Sequence, residues 1–252
     1  MATFEEKYLT ANNAPNAPRW DSELFEGLRS QLVSAAPELK PIEDAILAAL
    51  CIGAHRADLV PCILEDSLRT GMCATADAFY KLEGVIMIVW PFVGIPWCVT
   101  ACLGVAEILR RHDLLDLTTQ TPRRPEINGD DHGKAGEELM ERTYQNVANS
   151  EVREILRQHF SDFSSLTWAV CFGYSLGETT RTGVFLERES QLILASAITS
   201  SGASRQAASH LRAARGLGNS SQAIRAVWNV AKKLCLWNNV HLAEIPIEDI
   251  AH

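Results

Sequence analysis

The chain has 252 residues, 47% of them hydrophobic and 21% charged, enough to bury a core in one large domain or two small ones, so disordered, collagen-like and coiled-coil classes fall away. Its 23 Lys and Arg against 31 Asp and Glu give a formal charge of −8 with no basic block, which argues against nucleic acid as a partner. Seven cysteines, an odd number without CxxC spacing or a zinc pattern, read as buried reduced thiols, and the segment Met1–Lys7 lacks a secretory pattern, so a cytoplasmic location is expected.

Residues 1–20 are polar, with Pro15 and Pro18, and read as an extended arm. Trp20-Asp21-Ser22 then forms a staple and cap ahead of a helix carrying Leu24, Phe25, Leu28 and Leu32. Further helices follow at 42–52, 59–68, 74–90 and 97–111. The stretch from Gly84 to Ala106 is free of charge and long enough to cross a bilayer. Pro91 and Pro96 split it, so two short buried helices meeting at Val93-Gly94-Ile95-Pro96 are expected instead of a membrane span.

Residues 113–133 hold turn formers and two prolines and read as a linker, with Thr118 to Pro125 as its most polar part. Helical patterning resumes at 135–147, 152–163, 186–200, 204–217 and 220–236, with Asn219 expected as a cap answered by Gln222. No β-branched run alternates over six residues, so the predicted class is all-α. Shifting the chain by 147 residues aligns Ile46 with Ile193, Ala48 with Ala195, Leu64 with Leu211, Gly71 with Gly218 and Trp90 with Trp237. That single gapless register points to a duplicated unit covering 21–112 and 134–252.

The second half carries Arg181-Thr182-Gly183-Val184 ahead of one helix. It also carries Ser209-His210-Leu211-Arg212-Ala213-Ala214-Arg215-Gly216-Leu217-Gly218 ahead of another. These segments resemble the carboxymuconolactone decarboxylase and AhpD-like family over residues 134–240, and 22–111 resembles it more weakly, through Gly94-Ile95-Pro96. The resemblance implies an AhpD-like bundle of antiparallel helices in two tandem repeats, assembling as a homo-oligomer, a dimer or trimer of the duplicated chain.

The family's peroxidase branch uses a Glu, a CxxC pair and a His spaced nineteen residues from the Glu. Counting back from His210 puts Gln191 at the Glu, with Ala203 and Gln206 at the cysteines. In the first half Arg56 and Leu59 take the cysteine places and Ile63 the histidine's. Without a reactive thiol and its resolving partner, peroxidase chemistry is not expected.

The decarboxylase branch needs no metal, flavin or thiol, and it implies a cofactor-independent lyase or isomerase acting on a small carboxylated, enolisable or lactone-bearing molecule. His210 would be the acid/base, since imidazole titrates near neutral pH, and a core histidine is the competing reading. Arg181 would clamp a carboxylate or else lie free on the surface; Glu178 would be a second acid/base or a solvated loop residue. Trp168, Phe172 and Tyr174 would line the pocket or merely pack, and Gln191 would face the substrate. His55, Arg56 and Asp58, beside Cys62, read as a solvated turn. Gln222-Ala223 in place of the family's Glu–Glu, and Asn238-Asn239 near its Gly–x–Pro position, imply a substrate other than carboxymuconolactone. A non-catalytic helical scaffold or small-molecule binder of the same fold is the rival from another class.

Overall fold

Asp21 opens the first long helix, α1 (Ser22–Ala35), by accepting the Leu24 amide at 3.0 Å. Trp20, just before the cap, stacks on Phe25 with ring centroids 4.1 Å apart, so staple and cap act together as the sequence predicts. The computed structural model describes residues 2–71, 75–118, 123–147 and 150–252. Cys73, Ala74 and linker residues 119–122 lie outside them, as does Met1.

Among the described residues twelve further α-helices follow α1 and there is no strand. They are α2 (Glu43–Gly53), α3 (Val60–Thr70), α4 (Thr75–Val93), α5 (Ile95–Arg111), α6 (Gly129–Tyr144), α7 (Ser150–His159), α8 (Ser161–Leu166), α9 (Glu178–Arg181), α10 (Glu187–Ser200), α11 (Ser204–Gly216), α12 (Ser221–Trp237) and α13 (Ile247–Ala251). A π-helix, Thr167–Gly177, joins α8 to α9. None of the helices among the described residues is long and apolar enough to cross a membrane.

The uncharged run ends α4 and begins α5, with the turn at Gly94 and Pro96 in the first turn of α5. Pro91 does not break the chain as expected; it is absorbed in the last turn of α4. The middle of the molecule is α2 against α10. Every residue of α10 from Ser190 to Ser200 is buried, so this helix is enclosed on all sides rather than along one stripe. At Gly53 the two backbones come so close that a Cβ would overlap the Ala197 carbonyl. Moved 147 places along the sequence, α2, α3 and α4 fall on α10, α11 and α12 in the same order. Gly71 and Gly218 both turn left-handed after the second helix of each set, at φ 62° and 98°.

Several expectations need correcting. The arm contains a helical turn, Glu5–Leu9, rather than being wholly extended. The linker ends early, because Asn128 caps α6 by accepting the Asp130 and Asp131 amides, so the helix starts at Gly129. The pattern at 152–163 is two helices broken at Phe160. Ser220, not Asn219, caps α12, accepting the Ala223 amide at 3.0 Å, while Asn219 donates to the Arg188 and Ala214 carbonyls.

Arg56 and Asp58 are not a solvated turn. Arg56 is 4% exposed. It pairs with Asp58 at 2.9 Å, with Asn238 Oδ1 at 2.9 Å and with the Pro18 carbonyl at 2.7 Å. Only His55 of that cluster stays exposed, stacked on Trp97.

Candidate functional site

His210 shares the buried stripe of α11 with Ala207, Leu211 and Ala214 and is itself 7% exposed. α10 brings Gln191 beneath it, and the C-terminal end of α6 brings Tyr144 across it. Gln191 Nε2 lies 3.0 Å from Nδ1 of the imidazole, and Tyr144 Oη lies 3.0 Å from Nε2. Phe92 of α4 meets the ring edge-on at 5.6 Å, and Phe172 of the π-helix packs edge-on to Tyr144 at 6.1 Å.

Burial pushes the His210 imidazole down to about 4 and holds the Tyr144 phenol well above its usual range. Near neutral pH the pair is therefore an uncharged base beside an uncharged hydroxyl. Gln191 suits either tautomer of the ring: its amide NH2 donates to Nδ1, and turned over its carbonyl accepts from Nδ1–H. In the second state Nε2 is free to take a proton from Tyr144. A neutral amide, unlike a carboxylate, adds no pull toward imidazolium.

Beside Gln191 a void of about 10 Å³, the space of one water, is lined by Leu139, Thr143, Leu176, Thr180, Glu187, Ser190 and Leu217. Ser190 Oγ is buried and has no partner among the described residues. The void touches Gln191 and is not lined by His210.

A second polar cluster forms where α6 meets the π-helix. His132 is 3% exposed, with Nδ1 2.9 Å from the Asn128 carbonyl and Nε2 3.1 Å from Glu178 Oε1. Glu178 in turn pairs with Arg181. Tyr174 stands edge-on to His132 at 5.2 Å. Arg124 donates to the Tyr174 and Ser175 carbonyls at 3.0 and 3.1 Å, and to Thr179 Oγ1.

The residues singled out in the sequence therefore separate. His210, Gln191 and Phe172 come together around Tyr144, whereas Glu178, Arg181 and Tyr174 gather around His132. Glu178 is 3% exposed and helical rather than a solvated loop residue, and Arg181, 63% exposed at its side chain, is engaged by that carboxylate. Trp168 is half-buried against the core, with its carbonyl over Gly136.

Neither a family model, nor a curated protein, nor a solved structure matches this chain.

Tyr144, His132, Arg124 and Phe92 did not emerge from the sequence. Asn128 followed by Asp130-Asp131 is a helix start that would have placed His132 on α6, whereas nothing in the irregular approach marks Arg124. Of the six cysteines described, Cys51, Cys98 and Cys235 are buried, Cys62 and Cys171 half-buried and Cys102 exposed. Burial pushes the thiols of Cys62, Cys98 and Cys235 up to about 12 and Cys171 to about 11, away from the thiolate. Among the described residues no group of three His, Cys, Asp or Glu converges to hold a metal ion.

Proposed function

We propose that the chain is a cofactor-independent lyase or isomerase of the carboxymuconolactone decarboxylase and AhpD-like type. In this reading it moves a proton on a small carboxylated, enolisable or lactone-bearing substrate. One observation carries the reading: a neutral imidazole, depressed to about 4, with a phenol at 3.0 Å and an amide at 3.0 Å in an aromatic enclosure. Tyr144 accepts the substrate proton as it hands its own to His210 Nε2, and Gln191 holds Nδ1–H. The resulting imidazolium and enolate share a water-poor site, where their attraction is strongest.

The substrate reaches Tyr144 and His210 by widening the narrow void at Thr143, Thr180 and Gln191. Arg181, next to Thr180 in sequence and anchored by Glu178, draws a carboxylate to that opening. The matching order of α2–α4 and α10–α12, with a left-handed glycine in each, supports a tandem duplication of an AhpD-like unit. Ile155, Phe160, Phe163 and Leu166, each more than half exposed, supply an apolar face for assembly into a dimer or trimer.

A second reading, a scaffold or binder that kept the fold and lost the chemistry, is favoured by one feature. The void beside Gln191 is not lined by His210 or Tyr144. Incubating purified wild-type and His210→Asn protein with a small-metabolite extract separates the two. Enzymatic function requires a carboxylated or lactone species that only the wild type converts. Identical extracts after both incubations would select the scaffold.

A further inference from the structure

A roomier hollow lies in the other half. It has a volume of about 210 Å³, between the start of α2, the middle of α3 and α4. Lys40, Glu43 and Asp44 line it, and 147 places on stand Glu187, Ser190 and Gln191, which line the void beside His210. Ile63, in its wall, stands where the second half has His210. The matching locus is thus nearly closed in one half, beside the Gln191 that touches His210, and open in the other.

Ala45, Ile63, Ala78 and Leu82, all buried, give the hollow an apolar wall, with Pro41 beside them. The two acids in the wall are already answered from within the chain. Asp44 accepts Arg29 Nε at 2.6 Å and Ser67 Oγ at 2.7 Å, and Glu43 pairs with Lys40 at 2.5 Å. The remaining cation is Lys81, paired at 2.8 Å with Asp77, whose side chain is 51% exposed. Such an i,i+4 pair in water holds an ammonium weakly and leaves it donors to spare. Behind Asp44, Arg29 also pairs with Asp66 at 3.3 Å, and its Nη2 is buried with no partner among the described residues.

We propose that this hollow binds a small monocarboxylate with an apolar body, its carboxylate on Lys81 and its hydrocarbon against Ile63, Ala78 and Leu82. With isoleucine at the histidine position it holds the ligand without transforming it. The volume exceeds the ~150 Å³ apolar cavity known to take benzene, so a six-carbon chain fits.

Titration calorimetry of the full chain with hexanoate, hexylamine and hexan-1-ol tests this, because the three share a body and differ in the head group. Hexanoate should bind saturably and more tightly than the other two. Lys81→Met should weaken hexanoate about tenfold or more while leaving hexan-1-ol unchanged. Ala78→Trp should remove binding of both, and His210→Asn should alter neither. Tighter binding of hexylamine, no saturable heat with hexanoate, or full-strength hexanoate binding to Lys81→Met would each overturn the proposal. Circular dichroism confirms that Lys81→Met, a change at a partly exposed position, stays folded.

Discussion

His210 is worth more as a neutral ring than as a charged one, and its stability effect has a definite sign. Its folded value near 4 lies below the ordinary 6.5, so between those values the unfolded chain binds the proton and the folded chain does not. Stability is therefore lost as pH falls from about 7 toward 4, by on the order of 3 kcal/mol from this group alone. Urea melts of wild type and His210→Phe over that range should converge at low pH, because the variant lacks this slope. Gln191→Glu places a carboxylate 19 residues before His210 in sequence and against its Nδ1, so the imidazole resonance should titrate at a higher pH than in wild type. If Gln191→Glu leaves the titration unmoved, the side chain at 191 does not stand against Nδ1 as described. The sequence disclosed His210 through its place on a regular helical stripe, and Gln191 only through the family resemblance, nineteen residues before it. It did not disclose Tyr144, since a tyrosine near a helix end carries no sign of what stands across from it in space.

Helices were legible wherever the 3.6-residue period was clean, and lost where it was not. The segment Thr167–Gly177 winds as a π-helix, and its aromatic and small residues match no α-helical stripe. What fixes it is its crossing with α6. A Cβ on Gly136 would overlap the Trp168 carbonyl, and one on Gly173 would overlap the His132 carbonyl. Two backbones in such contact hold the His132–Glu178 pair on one side and Tyr144 on the other. Gly136→Ala should then cost roughly 1–3 kcal/mol in a denaturant melt and disturb both clusters; a neutral result would mean the crossing is looser than described. Arg56 makes the same point about local reading. Next to His55 and Asp58 it looks like part of a polar turn, yet besides Asp58 its partners Pro18 and Asn238 are 38 and 182 residues away in sequence. Arg56→Met leaves Asp58 buried and unpaired, at an expected cost of about 3–5 kcal/mol, measurable as a lowered melting temperature.

At the scale of the whole molecule, an all-helical class was evident from the absence of alternating strands. The central pairing of α2 with α10 was not, because helices buried on every side carry no stripe to name a neighbour. The exposed row Phe160, Phe163 and Leu166 belongs to this scale too. Phe163→Glu combined with Leu166→Glu should lower the mass seen by light scattering to that of one chain, if assembly uses this face. An unchanged mass would place the interface elsewhere.

The embrace of α2 by α10 has a further consequence for the polypeptide as a heritable unit. Neither half owns a finished interior: each lends a thoroughly sequestered rod to the other. A protease nick between 113 and 128 should therefore release nothing, the two fragments travelling together through a sizing column. Genes for the two fragments, expressed side by side, should rebuild the molecule that neither product forms by itself.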